Sequence, residues 1–239
     1  MSHSSGKGRR WLYCEFLKEV GMRLKIPQLT IATAIVFCHR FYWLREYDEY
    51  LLQIIAAACI FLAGKVEETP KSLNDLLKVC VLVQHKSDED KRLVLNSFQN
   101  FVQEQRELIL RAERRLLHTL AFDFNIEHPY KYLLSTVRQM HSYRYISEDN
   151  TRDLAQIAWN FANDSLRTTV CLHHSAKACA NAVIYLATKF MGAKLCLPKE
   201  WCAELSMDEV ECEKISNEIL DVYESDDRKT SGDIAHLLA

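Results

Sequence analysis

The residues best placed to do chemistry in this chain are charges set where charge is costly. Lys65, Glu67 and Glu68 stand together at the end of a run, Ile54 to Gly64, that carries no polar side chain, and Thr69-Pro70 then stops the helix. A second charge is Glu113. On the helix expected over Glu107 to Leu120, the residues Ile109, Leu110, Leu116, Leu117 and Leu120 form one stripe, and Glu113 falls in its middle. A carboxylate on an apolar face needs a named partner. Either it makes a salt bridge inside the domain, with Lys65 as the candidate, or both groups project from an apolar patch into a second protein's helix. In both cases the chemistry is charge-assisted hydrogen bonding.

Bond-making chemistry has no such foothold. The sequence contains no phosphate-cradling glycine loop, nucleophile elbow or His-Glu-x-x-His, so neither an enzyme nor a cofactor is expected. Cys171, His173 and His174, and the series Cys196, Cys202 and Cys212, match no structural zinc spacing and read as ordinary helix and loop residues, so no metal is expected. Arg111, Arg114 and Arg115 read as a solvated helix face. The formal charge of −2 gives no general attraction to phosphate backbones, so direct nucleic-acid binding is not expected. Nine cysteines, an odd number and mostly inside apolar runs, argue for a reduced compartment without a disulfide framework. The polar start lacks the apolar stretch of a signal peptide, and no segment is long and apolar enough to span a bilayer. A soluble intracellular protein with no membrane partner is the expectation.

The elements that must position Lys65 and Glu113 are helices. Only 6 Gly and 4 Pro leave little turn material for a many-stranded β fold. Residues 1–10 read as a flexible lead, and Trp11 to Leu24 as a first amphipathic helix. Pro27 opens a second helix through Thr30 to Tyr42. The third is the apolar run itself, beginning near Asp48 as N-cap. An apolar helix with no wet face must be covered on every side, so it is the centre of a helical core. Ser72 caps a fourth helix to about Val83, residues 84–92 form a charged loop, and a fifth helix spans about Ser97 to Leu120. Further helices follow His128-Pro129 and near 147–166, 175–191 and 208–223, before a polar tail from Glu224.

A repeat lies within this order. Shifting residues 30–66 by 124 places them on 154–190 without a gap, with eight identities in 37 positions. Ala56, Ala58, Ile60, Leu62, Ala63 and Lys65 fall on Ala180, Ala182, Ile184, Leu186, Ala187 and Lys189, with Phe61 opposite Tyr185. The chain therefore reads as two copies of one roughly five-helix unit, joined near 125–128.

Three stretches resemble the cyclin box: Leu62 to Pro70, His39-Arg40-Phe41-Tyr42, and Glu113 with Leu120-Ala121-Phe122-Asp123. Pro27 to Ala34 and the junction His128-Pro129-Tyr130 look like transcription-type cyclins of the T and K group. The resemblance implies an all-α fold of two tandem five-helix cyclin boxes, over 11–125 and 126–223, with 1–10 as lead and 224–239 as polar tail. It implies a regulatory subunit that binds and allosterically activates a cyclin-dependent kinase as a heterodimer. It also implies a nuclear location, and the RNA polymerase II C-terminal tail as the substrate of the complex. Lys65 and Glu113 match the family's pair that grips the kinase's regulatory helix, with Val66, Glu68, Leu117 and Phe122 as neighbouring contacts. The first helix lacks the Met-Arg-Ala-Ile-Leu docking patch of cell-cycle cyclins, so substrate docking of that kind is not expected. The alternatives are a nucleic-acid-binding factor of the TFIIB type, which also has two cyclin boxes, and a cyclin of the L or C type acting in splicing or in a mediator complex. Near-neutral charge and the lack of a cysteine zinc ribbon count against the TFIIB type.

Overall fold

In the computed structural model, the described residues are 3–45, 49–84, 98–195 and 197–227. Among them every regular element is helical, and the chain divides into two compact units between Ile126 and Glu127. Asp48, Ser97, Cys196, most of the charged loop and the end of the polar tail lie outside the described residues.

The first unit contains α1 (His3–Arg23), α2 (Gln28–Leu44), α3 (Glu49–Val66), α4 (Leu73–Gln84) and α5 (Phe98–Thr119). The helix α3 is its centre: Ala56, Ala58, Cys59 and Ala63 are wholly buried, and α1, α2, α4 and α5 all pack against it. Small side chains on α3 let four neighbours close around it. Gly21 serves the same end between α1 and α2, since a Cβ there would lie 2.5 Å from Ile31 Cγ1. Ser72 caps α4, its Oγ accepting from the Asp75 amide at 3.1 Å and donating to the Asp75 carboxylate at 2.6 Å.

The second unit contains α6 (Tyr130–Ser142), α7 (Glu148–Ser165), the one-turn α8 (Val170–His173), α9 (Ala176–Met191), the one-turn α10 (Trp201–Glu204) and α11 (Glu209–Asp227). Ser147 and Ser175 cap α7 and α9 by accepting from the amides of Asn150 and Ala178. Here α9 is the centre, with Ala180, Ala182, Ile184 and Ala187 wholly buried and α6, α7 and α11 packed on it. Each unit thus surrounds one alanine-rich helix, and the aligned pairs Ala56 and Ala180, Ala58 and Ala182, Ile60 and Ile184, Leu62 and Leu186, and Ala63 and Ala187 are all buried.

Four expectations need correction. Residues 3–10 are the first turns of α1 and not a loose lead. The last helix continues past Tyr223 to Asp227, where the tail had been expected to begin. Leu110, read as part of the buried stripe of α5, is 36% exposed, because the side of α5 turned to α3 passes through Ile109, Ala112 and Leu116. In chain order the second unit's counterpart of α4 is the single turn α10, so the two copies are not equal five-helix units.

A candidate docking surface at the ends of two helices

Lys65 lies in the last turn of α3, where a cation is favoured by the helix dipole. Its Nζ donates to Glu113 Oε1 at 2.7 Å and sits 4.0 Å from the centre of the Phe61 ring. The two side chains differ in exposure: 46% for Lys65 and 10% for Glu113. The salt bridge inside the domain is therefore made, and its cationic end stays open to water. That geometry leaves the second possibility intact, because a half-exposed ammonium can turn to a new acceptor while Glu113 stays buried on the face of α5 that it shares with Ile109 and Leu116.

The turn after α3 folds back tightly. The Thr69 amide donates to the Gly64 carbonyl at 2.8 Å, and Glu68 takes a left-handed conformation with φ of 55°. Helix α5 ends the same way: the Phe122 amide donates to the Leu117 carbonyl at 3.1 Å, and Ala121 and Phe122 have φ of 49° and 58°. These are Schellman-type ends in which non-glycine residues hold positions that favour glycine. Backbone strain of this kind is held by its surroundings, and at the end of α3 it stands three residues from Lys65.

Val66 and Leu117 are half-buried, and Leu117 follows Glu113 by one turn on the same face of α5. Phe122 is 59% exposed, with ring contacts to His118 and Phe124, and Phe124 in turn meets buried Phe37 edge-on. Glu68 is exposed on its turn. The structure brings Lys65 and Glu113 into direct contact, and it places Val66, Leu117 and Phe122 on the adjoining helix ends as incompletely covered apolar side chains.

Sequence reasoning missed the fastening of this surface. Thr33 Oγ1 donates to Glu67 Oε1 at 2.7 Å, and the Thr30 and Thr69 hydroxyls meet at 2.9 Å. Two threonines of α2 thereby hold the turn that carries Lys65. Arg40 binds the Asp123 carbonyl at 3.3 Å and its carboxylate at 3.5 Å, tying α2 to the turn that carries Phe122. The available signal was two hydroxyls one turn apart on an otherwise apolar helix. His39, next to Arg40, is a core residue whose Nδ1 lies 2.6 Å from the Tyr13 hydroxyl. Among the described residues no three His, Cys, Asp or Glu side chains gather as metal ligands, and no helix is long and apolar enough to cross a membrane.

Residues 2–125 match the family described as the cyclin N-terminal domain. The chain belongs to the cyclin family. Its curated relatives include Cyclin-T1-4 of Arabidopsis thaliana, 43% identical over 214 residues that make up 89% of this chain and 38% of that protein. Putative cyclin-T1-1 of Arabidopsis is 35% identical over 222 residues, 91% of this cyclin and 84% of the relative. Against Cyclin-T1-4 and its nearest companions, this cyclin spans about two fifths of the relatives' length. Among solved structures, one in the yeast RNA Pol II CTD kinase CTDK-1 complex superposes with a TM-score of 0.74 at 19% identity, covering 93% of this chain and 67% of that one. A viral cyclin from herpesvirus saimiri gives 0.63 at 13% identity, covering 90% of this chain and 84% of its own. At those identities the likeness is one of fold, and it extends over both units of this cyclin.

Proposed function

We propose that this cyclin is the regulatory subunit of a cyclin-dependent kinase and holds the kinase's regulatory helix on the surface formed by the ends of α3 and α5. The observation that carries the reading is the unequal pair, Glu113 sunk among apolar residues and Lys65 half-exposed above it. Lys65 supplies N–H donors to carbonyls at a helix end, and the free lone pairs of Glu113 accept backbone N–H groups. Val66, Leu117 and Phe122 provide the apolar contact around these bonds, and Glu68 adds charge at the rim. Binding energy spent only on the kinase's active arrangement shifts its population toward that state, which is allosteric activation with no catalytic group in the cyclin itself.

The T-type relatives and the fold shared with a chain of an RNA polymerase II CTD kinase complex support the polymerase tail as the substrate of the assembly and the nucleus as its place. The formal charge of −2 supports a protein partner over nucleic acid. The test is titration of a purified T-type cyclin-dependent kinase with wild-type cyclin and with Lys65→Ala, Glu113→Ala and Lys189→Ala variants, reading affinity and peptide phosphorylation together. The first two variants weaken binding by about 2 kcal/mol or more, as removal of a desolvated charged contact does. Lys189→Ala leaves it unchanged. Wild-type affinity in both folded first-unit variants rejects the surface.

A further inference from the structure

The second unit also carries an aromatic cluster at the end of its central helix, built on the counterpart of Phe37, and leaves much of it uncovered. In the first unit Phe37 of α2 meets Phe124, just past α5, at 6.0 Å with ring planes at 76°, and Phe122 joins Phe124 at 6.0 Å. In the second unit Phe161, which the 124-residue shift places on Phe37, meets Tyr223 of α11 at 6.4 Å and 88°, and Phe190 joins Phe161 at 6.0 Å. Phe190 is the shifted counterpart of Val66 and is 71% exposed, while Tyr223 is 37% exposed. Helical spacing places Leu220, also exposed, on the same face of α11 as Tyr223.

The charge of α11 is mostly of one sign. Over Glu209 to Tyr223 it carries Glu209, Glu211, Glu213, Glu218 and Asp221 against Lys214 alone, in a chain that is near neutral as a whole. Of these, Glu211 and Glu218 lie on the side away from Leu220 and Tyr223, each 3.8 Å from a ring nitrogen of His174. Glu213 shares the face of Leu220 and Tyr223, and the Tyr223 hydroxyl donates to the Asp164 carboxylate at 2.5 Å. Glu209 accepts from Tyr185 at 3.3 Å, and Lys189 lies 4.8 Å from the Tyr185 ring. Lys189 thus sits with Tyr185 and Glu209, whose charge it offsets, and leaves Glu213 as the acid of α11 on the side of Leu220 and Tyr223.

We infer that the second unit holds a second docking surface, centred on Phe190, Leu220 and Tyr223, for a basic amphipathic helix of a partner other than the kinase. An apolar anchor packs on the aromatic rings, and Lys or Arg side chains on the flanks of the helix face α11. The parallel with the first unit rests on reading that unit's surface as an interface, whereas the exposure of Phe190 and the charge of α11 do not.

The test uses the full chain and two labelled 18-residue helical peptides with leucines at i, i+3, i+4 and i+7. One carries lysine at the remaining positions and the other glutamate. Fluorescence anisotropy gives affinity, and hydrogen exchange locates the contact. The lysine peptide binds at least 10-fold more tightly than the glutamate peptide, loses at least 10-fold on Phe190→Ser, and protects α9 and α11. Lys65→Ala leaves this binding unchanged, and Phe190→Ser leaves kinase binding unchanged, so failure of one surface is distinguishable from failure of the other. Equal affinity for both peptides, indifference to Phe190→Ser, or protection confined to α3 and α5 overturns the inference. So does sedimentation showing that Phe190 joins two copies of this chain.

Discussion

Lys65→Ala and Glu113→Ala remove the two halves of one ion pair, yet they should not cost the same. After Glu113→Ala the ammonium, already 46% exposed, takes up water, and the loss is that of an exposed pair, up to about 1 kcal/mol. After Lys65→Ala the carboxylate, 10% exposed, is left without its donor. That cost lies between the roughly 1–3 kcal/mol of a stranded buried acceptor and the about 3–5 kcal/mol of a fully buried broken pair, so about 2–3 kcal/mol is expected. For a chain of this size each kcal/mol moves Tm by roughly 2–4 °C. Lys65→Ala should therefore lower Tm by roughly 4–12 °C, and Glu113→Ala by less than about 4 °C. Lys65→Met keeps the alkyl stem over Phe61 and should behave like Lys65→Ala, while the double variant Lys65→Met, Glu113→Leu should recover most of the loss. Thermal melts of the four variants beside a kinase titration decide the matter. Equal losses for the two alanine variants, or a larger one for Glu113→Ala, refute the reasoning from exposure.

Phe122→Gly should relieve a left-handed residue, leaving stability unchanged or up to about 1 kcal/mol higher, while kinase affinity falls by about 1–2 kcal/mol; denaturant titration and binding should move in opposite senses. Gly21→Val forces Ile31 aside and should cost about 1–3 kcal/mol by overpacking, read as a lower denaturation midpoint at unchanged slope. Burial pushes the thiols of Cys80, Cys179 and Cys212 up from 9.0 to about 12. The folded chain then keeps protons that the unfolded chain releases, so this share of stability is full below pH 9 and is lost as pH rises toward 12. Melts at pH 7.5 and pH 10.5 check it, and at pH 8 thiol mapping should label half-buried Cys171 before those three.

Much of this was legible in the chain because two strong signals agreed. A run from Ile54 to Gly64 without a polar side chain has to be central, and a related alanine-rich run lies 124 residues later in α9. Glu113 announced a partner by interrupting an apolar stripe, and the spacing to Lys65 could not by itself say whether that partner was internal. What stayed hidden depends on which neighbour covers a residue. Leu110 and Ile109 look alike in sequence, and only the approach of α3 to α5 buries one and leaves the other wet. The latch from Thr30 and Thr33 is a long-range choice of hydroxyl partners that no local pattern encodes. The start of α1 was misread because polar residues without apolar spacing give no periodic signal, while nothing among residues 3–10 forbids a helix.

The two hydroxyl bonds that fasten the Lys65 turn to α2 set how the surface answers to ionic strength. At 1 M salt the Debye length is about 3 Å, so the long-range pull of charges across the solvent is gone. A hydroxyl–hydroxyl contact at 2.9 Å and a hydroxyl–carboxylate bond at 2.7 Å are short-range and suffer far less. The turn consequently keeps its shape in brine while Lys65 loses its reach. On the proposed reading, encounter with the kinase slows with added salt, while the docked kinase meets the same template and departs at nearly the same rate.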